Sequence, residues 1–492
     1  MFKKILVAFM ALHMELAYSQ TISFWASTNF FYPVFSDPVQ GCDYMYSDFY
    51  WGSSGYRPDR SKYETPTTFL CGIEHSDLTT FGTITHVTAS CENGTSYNFS
   101  TRSCQMAGQK GAGQDPLVCP ATTPSGVVGN PINALIGNKF QAEYDFSVGG
   151  YNPLTLYHYY NSSDQKWTHS YSDHLNIGDD SIAIVRSDGR ETIYAKNADS
   201  YTSDSDFGTL EARTDGWTYK ASDGGRMEFD LSGRLVETYT VEGGSQFLTY
   251  ESAAPYYVVT VKNGLGSEVK ITETPRHEPI AISSSGVSVG FTYGDSLDSV
   301  ETTENGVTTT RRYEYTRVTS VRNLLAAVID ERGVKFASWS YDYMGRPLSS
   351  EHSDGAQKTS VSYLDGASIV TNALGKNVTY RYQNMHGVNR IVSIEGEPSP
   401  NCPASNSSYT YNDRGQVLTK TDAKGLITTY SYNDRGLEVS RVEASGTPLA
   451  RTTITEWDPS RFLKTKVLEP TRSTLYTYDA QGRPLSQQTT PN

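Results

Sequence analysis

Tyr409-Thr-Tyr411-Asn412-Asp413-Arg414-Gly415-Gln416-Val417-Leu418 is the stretch from which the rest of the chain can be read. It returns as Tyr430-Ser-Tyr432-Asn433-Asp434-Arg435-Gly436-Leu437-Glu438-Val439, with 21 residues between Tyr411 and Tyr432. It comes again as Tyr476-Thr-Tyr478-Asp479-Ala480-Gln481-Gly482-Arg483-Pro484-Leu485, and earlier as Tyr341-Asp342-Tyr343-Met344-Gly345-Arg346-Pro347-Leu348. A chain that repeats at this period is built by stacking one small unit.

The unit explains itself physically. Successive side chains of a strand alternate between faces, so Tyr409 and Tyr411 share one face. Asn412-Asp413-Arg414-Gly415 then turns the chain, because Asn and Asp start turns and Gly415 takes positive φ without a Cβ penalty. A return strand follows over 416–421, Asp422-Ala-Lys-Gly425 turns it again, and 426–432 runs back. Two strands and two turns per repeat make a β-meander. The simplest register opposes Tyr411 to Gln416 and Tyr409 to Leu418, and each such cross-strand pair contributes roughly 0.2–1 kcal/mol. The turn positions Asp342, Gly345, Arg346, Asn412, Asp413, Gly415, Asn433, Asp434, Gly436, Asp479, Gly482 and Arg483 are therefore the residues that define the repeat.

Composition agrees with an all-β chain. Of 492 residues, 35 are tyrosine and 41 glycine, and tyrosine alternating with Thr and Val between glycine turns favours strands. The length exceeds one ordinary core, which calls for several domains or a repeat array. The net charge of −13 argues against a nucleic-acid partner, whose phosphates demand a basic face.

The first residues read as a secretory signal. Lys3 and Lys4 open it, Ile5 to Leu12 is its apolar run, and Ala17-Tyr18-Ser19 is a small-x-small cleavage site before Gln20. The apolar run is too short to span a bilayer, and no later stretch approaches the roughly 18 apolar residues a spanning helix needs. The expected product is exported: secreted, periplasmic or at the cell surface, with no transmembrane segment after cleavage. Cysteine placement fits an oxidising compartment. Cys42, Cys71, Cys91, Cys104 and Cys119 precede residue 120, and Cys402 stands alone. Five local cysteines allow two disulfides and one leftover. Cys91 and Cys104 flank the turn-like Glu92-Asn93-Gly94 and are the first candidates for a pair. The expected organisation is a signal at 1–19, a small cysteine- and aromatic-rich module at 20–107, and a Gly/Pro linker at 108–129. A β domain at 130–235 and repeats over 236–492 follow.

In the β domain, Leu154, Leu156, His158 and Tyr160 fall on one face of a strand. The run 181–194 is a hairpin turning at Asp188-Gly189. Met227-Glu-Phe-Asp-Leu-Ser-Gly-Arg-Leu235 is a degenerate copy of the repeat.

The chain resembles the RHS (rearrangement hotspot), or YD-repeat, family. The resemblance is carried by the four Tyr-Asp/Asn copies above. Upstream it rests on Gly129-Asn-Pro-Ile-Asn, Gly137-Asn-Lys139, Glu143-Tyr-Asp145, Tyr159-Tyr-Asn-Ser162 and Trp167-Thr-His-Ser-Tyr171, and it covers about 128–492. It implies a meander strip that curls into a partial shell, behind a small disulfide-stabilised module. In larger members such a shell encloses a C-terminal toxin; other relatives are adhesins or toxin-complex subunits. Family shells close with an Asp-Pro-x-Gly segment, whereas Asp458-Pro459 here is followed by Ser-Arg. Neither self-cleavage nor toxin activity is carried over.

The remaining motifs offer little chemistry. Gly286-Val-Ser288-Val-Gly290 matches a nucleophile pattern that needs a strand-to-helix elbow; no helix signal follows, and a strand is expected. His158, His169 and His174 with Glu143, Asp145 and Asp173 would have to converge to hold a metal, and His158 reads as a packed strand residue. Asn93, Asn98, Asn161, Asn377 and Asn406 begin Asn-x-Ser/Thr sites, incidental in the bacterial host that the resemblance implies. The expectation is a scaffold with no catalytic, metal or cofactor site, whose partner is another repeat-bearing chain or a toxin cargo. The alternative is an adhesin or carbohydrate binder, and the third reading a polysaccharide-acting enzyme. A strip ending after a repeat leaves an open edge strand, expected around Leu475 to Tyr478.

Overall fold

The structure is a computed structural model. It describes residues 109–111, 124–150, 152–178, 181–197, 200–240, 244–318, 321–396, 406–480 and 482–492, side chains included except at 321 and 322; between 20 and 105 it describes the backbone of the strands alone. The proposed signal, Cys42, Cys119 and Cys402 lie outside the described residues. Cys71, Cys91 and Cys104 lie on strands whose side chains are not described.

The described chain is all-β, with four sheets. The strands before residue 92 form one sheet of five, in the order Val34–Phe35, Gln20–Ser27, Thr80–Cys91, Thr68–Gly72, Lys62–Thr65, and Ser96–Asn98 pairs with Ser103–Gln105. A second five-stranded sheet, the inner sheet, orders Lys166–His169, Leu154–Asn161, Asn138–Val148, Ile132–Asn133 and Val127–Val128. The remainder is one sheet of 30 strands, from His174–Ile177 to Pro484–Pro491, each strand antiparallel to its sequence neighbours. The meander runs through residue 235 without a break. Of the expected linker, Gln109, Lys110 and Gly111 are buried.

Alternation decides which face of the strip is covered. In Glu268–Glu273, Val269, Ile271 and Glu273 point inward; in Tyr256–Asn263, Val259 and Val261 are fully buried. They share one core with Leu154, Leu156, Tyr160 and Trp167 of the inner sheet, as the period of two in that strand predicts. Arg226–Asp230 and Leu235–Thr240 form the predicted degenerate copy of the repeat, and the hairpin at Asp188-Gly189 joins Ser181–Val185 to Glu191–Asn197.

The strip is bent round on itself. Thr209–Arg213 is its fifth strand and Val417–Thr421 its twenty-fourth. Laid flat at about 4.8 Å per strand, they would stand about 90 Å apart. Yet Phe207, in the loop before the fifth, lies 3.7 Å from the guanidinium carbon of Arg414, in the turn before the twenty-fourth. Gly436 sits against the same ring: a Cβ there would lie 3.0 Å from Phe207 Cε2. In a meander, successive turns alternate between the two rims. The loop holding Phe207 and the turns holding Arg414 and Gly436 are on opposite rims, so one coil of the strip abuts the next rim to rim.

Two expectations are corrected. Tyr411 opposes Val417 and Tyr409 opposes Lys420, because a β-bulge between Thr410 and Tyr411 inserts an extra residue beside the turn. The open edge is not 475–478. Arg472–Tyr478 pairs with Pro484–Pro491, because the turn Asp479–Arg483 brings the chain back for one more strand, which ends the sheet.

Candidate functional site: the turn rim and the lined interior

Each repeat turn is closed by its first side chain. Asp342 Oδ1 accepts the amides of Met344 and Arg346 at 2.9 Å each, while Arg346 Nε donates to Asp342 Oδ2 at 2.8 Å. Asn412 Oδ1 accepts Arg414 N and Gln416 N; Asn433 Oδ1 accepts Arg435 N and Leu437 N; Asp479 Oδ1 accepts Arg483 N. This is the Asx-turn chemistry the sequence announces, and Gly345, at φ 82°, takes the left-handed corner. The closing residue follows the charge of the opening one. Asp342 and Asp479 meet Arg346 and Arg483, whereas neutral Asn412 meets Gln416, whose Oε1 accepts its amide at 3.1 Å.

Two further roles of the repeat were not read from sequence. An aromatic late in many of the strands caps the preceding strand. Tyr250, Tyr315, Tyr341, Tyr363, Tyr411, Tyr432 and Tyr478 donate their hydroxyls to Leu235 O, Leu297 O, Leu325 O, Pro347 O, Ile391 O, Val417 O and Lys464 O, at 2.5–3.0 Å. Trp457 Nε1 does the same to Glu438 O at 2.9 Å. The second role belongs to a basic side chain within the turn. The YD-type turns share one rim, and along it His386 Nε2 donates to Asp413 O (2.8 Å), Arg414 to Asp434 O (3.0 Å), Arg435 to Asp458 O (2.6 Å) and Arg461 to Asp479 O (2.9 Å). The signal that could have found these rungs was the recurrence of Arg in successive turns, at 414, 435 and 461, which turn geometry alone does not require.

The inner sheet is pinned to the concave face by polar side chains. His158, which the strand period places inward, has Nδ1 2.9 Å from Asp145 Oδ1 and Nε2 2.9 Å from the Tyr313 hydroxyl. Tyr160 donates to Asn323 O at 2.8 Å and accepts Leu325 N at 3.1 Å. It thereby fills the gap in the ladder where 321–329 slips against its neighbour. Trp167 Nε1 donates to the Tyr315 hydroxyl, Trp339 Nε1 to Asn130 O, and Ser368 Oγ to Ala134 O. The fully buried Lys139 ammonium lies 4.1 Å over Trp339 and 2.6 Å from Gln141 Oε1. Burial pushes its pKa well below the usual lysine value, with Glu143 opposing. Glu143 in turn pairs with Arg311 of the strip.

Gln109 and Lys110, which the sequence offered only as linker, anchor the entrance. Gln109 donates to Asn389 O and accepts Asn389 N, as a strand partner would. Lys110 Nζ sits 3.1 Å from Asp164 and 2.9 Å from Glu191, all three buried. Burial alone would lower its pKa, but the two carboxylates outweigh that and raise it.

The three histidines do not converge. His169 Nε2 lies 2.7 Å from Glu273 Oε2, and Glu273 also meets His277 Nδ1 at 3.2 Å. Burial would raise Glu273, yet the two imidazoles hold it well below the carboxylate range. His174 stacks on His277 at 4.3 Å between ring centres, and burial keeps its pKa well below 6.5. Asp173 pairs instead with Arg186 at 3.2 Å. This pair lines a polar cleft of about 310 Å³ with Tyr171, Gln246 and Thr238. Among the described residues no group of three or more His, Cys, Asp or Glu side chains is placed to hold a metal ion. Ser288 opposes Ser283 and Thr303 in mid-strand, without an elbow. Asn161 is buried and bonded to Gly111 N, Asn138 and Asp188 O, which leaves no room for a glycan. No helix among the described residues is long and apolar enough to cross a membrane.

Two family descriptions match the chain. Residues 129–194, the inner sheet and the first strip strands, match a domain of unknown function, DUF6531. Residues 411–448, which hold the turns at Asn412 and Asn433, match the RHS Repeat. No curated protein sequence matches. Among solved structures, the chain is similar to one titled as a crystal structure of TcdB2-TccC3-Cdc42, at 13% identity and a TM-score of 0.29, over 72% of this chain and 21% of that one. A second is the Photorhabdus luminescens Tc holotoxin pore carrying a TccC3 variant, at 13% identity and a TM-score of 0.26, over 72% and 22%. The chain thus spans about a fifth of the length of those chains.

Proposed function

We infer that this RHS-repeat protein is a secreted or envelope-exposed, toxin-related scaffold, a segment of shell whose work is to enclose and present another polypeptide. The signal-like start and the cysteines before residue 120 support export. The repeat match supports the scaffold. Catalysis is assigned to none of its residues: buried Glu143, His158 and His169 close contacts between inner sheet and strip, and buried Glu228 and Asp330 close contacts within the strip.

The observation that carries the reading is the coil, held by Phe207 against Arg414 and Gly436. A strip that curls rim on rim has an inside. Where the inner sheet covers it, that inside is apolar. Beyond Val417 its character changes. Following directly opposed partners from Tyr409, the same face passes through Lys420, Thr428, Tyr430, Arg441 and Thr453, and on to Thr455, Val467 and Thr474. A wall in which Thr, Lys and Arg outnumber Tyr430 and Val467 suits a hydrated chamber rather than a second core.

Protease protection tests this. Produced together with the polypeptide encoded beside it, the chain should be recovered from the medium or envelope, with that polypeptide resisting protease until the chain is denatured. A chain retained in the cytoplasm, or a neighbour digested at the same rate with and without it, would overturn the reading.

A further inference from the structure

Lys110 brings an amine against two carboxyl groups in a buried place. Its Nζ lies 3.1 Å from Asp164 Oδ2 and 2.9 Å from Glu191 Oε1, and the three side chains are 1%, 8% and 4% exposed. Each carboxyl has a second buried oxygen, Asp164 Oδ1 and Glu191 Oε2, that meets no hydrogen-bond donor among the described residues. Two carboxylates against one ammonium leave a net buried charge. Such a charge is costly unless it is paired and hydrogen-bonded throughout. A contact serving stability alone would satisfy those two oxygens.

The residues on either side hold Lys110 in this position. Gln109 O accepts Asn133 Nδ2 at 2.9 Å, and the Gln109 side chain exchanges two bonds with the main chain of Asn389. Gly111 N donates to Asn161 Oδ1 at 2.9 Å. At φ 69°, Gly111 lies so close to Asp188 that a Cβ would stand 2.5 Å from Oδ2. Asp164 sits in the turn between Leu154–Asn161 and Lys166–His169, where Gln165 N donates to Asn161 O at 2.8 Å. Glu191 opens the strand Glu191–Asn197. Three separate elements thus fix one amine against two carboxyls, and fixed contact of reacting groups removes much of the entropic barrier to joining them.

We propose that Lys110 Nζ and Asp164 Cγ condense to an isopeptide bond, with Glu191 relaying the proton. In the resting contact the ammonium keeps its proton, because both carboxylates hold it. Burial penalises the charged pair, so one proton passes to Asp164 and leaves a free amine beside a neutral acid. A bond made once per molecule needs that form only briefly. The amine attacks Cγ, and Glu191 Oε1 takes a second proton from the nitrogen and returns it to the departing hydroxyl. The Nζ–Cγ bond forms, the Cγ–O bond breaks, one water leaves, and Glu191 ends as the carboxylate it began. No oxidant or cofactor enters. The reaction is a single self-modification without turnover. The N–H left on Nζ still faces Glu191, and one pair of opposite charges has gone from the interior. The bond ties the segment ahead of the inner sheet to that sheet's own hairpin, by a link that reductants do not open. It does not depend on what the strip encloses.

Mass spectrometry of the full chain, reduced and denatured, tests the bond. The wild-type chain should weigh one water less than its processed sequence, and its digest should yield a branched peptide joining Lys110 to Asp164. Lys110→Arg, measured beside it, should keep that water once the changed side chain is allowed for. Glu191→Gln should stay unjoined while its circular dichroism matches the wild type. Asp164→Asn should reach the wild-type mass, losing ammonia in place of water. A wild-type chain that keeps its water, a branch at Glu191 in place of Asp164, or a Glu191→Gln chain joined as completely as the wild type would overturn the proposal. Where a variant fails to fold, the wild-type mass and digest decide alone.

Discussion

At the residue scale, Tyr160 shows how sequence pattern and contact divide the work. The period of two placed it inward beside Leu154, Leu156 and His158, and it is fully buried there. What the pattern could not carry is its hydroxyl partner, 163 residues away, at a slip in the strip that only folding creates. Tyr160→Phe should leave Asn323 O and Leu325 N without their partner and lower stability by about 1–3 kcal/mol, the cost of orphaned buried groups. Urea denaturation measures it, and a loss below the error of the method would remove Tyr160 from the pins. The missed bulge at Tyr411 has a similar cause. The turn dipeptides fix that a hairpin forms, but the extra residue that shifts the pairing by one depends on the whole Asx turn.

At the scale of the element, the turn was legible in kind and incomplete in role. Asn, Asp and Gly at fixed offsets predict the corner, and the side-chain caps are where they should be. The aromatic caps and the arginine rungs join one hairpin to the next, so a single repeat cannot reveal them. Asp342→Ala removes two amide caps and the hold on Arg346, and should cost about 1–3 kcal/mol by the same measurement. Arg435→Ala, which removes one half-buried rung to Asp458 O, should cost about 0.5–1.5 kcal/mol and should open 458–463 to faster amide exchange. Unchanged exchange there would reduce the rungs to incidental contacts. The anchor at Gln109-Lys110 was not legible: a Gly/Pro-rich flank reads as linker, and nothing local marks the one lysine that meets two distant carboxylates.

At the scale of the molecule, the all-β meander was readable from the repeat, because one hairpin per 21 residues leaves no other connection. How far the strip bends was not, since bending is set by what the inner sheet fills. One consequence is acid sensitivity. His174 is held neutral by burial, with His277 and Lys166 pushing the same way. The unfolded chain binds that proton near 6.5 and the folded chain does not, so stability is whole above pH 6.5 and falls as pH drops below it. Glu273, held low by His277 and His169 against burial, adds a loss in the same direction below its ordinary 4.5. Denaturation midpoints should therefore decline from pH 7 to 5, and His174→Phe should flatten that decline; a midpoint independent of pH over this range would contradict the assignment. The central claim is that the strip coils until Phe207 meets Arg414, and a pulsed electron-spin distance between labels on ketone-bearing residues at 204 and 413 tests it most directly. Coiling predicts a separation under about 30 Å, set by the reach of a few residues and the labels from a contact; a distribution near the roughly 90 Å of a flat strip would contradict it.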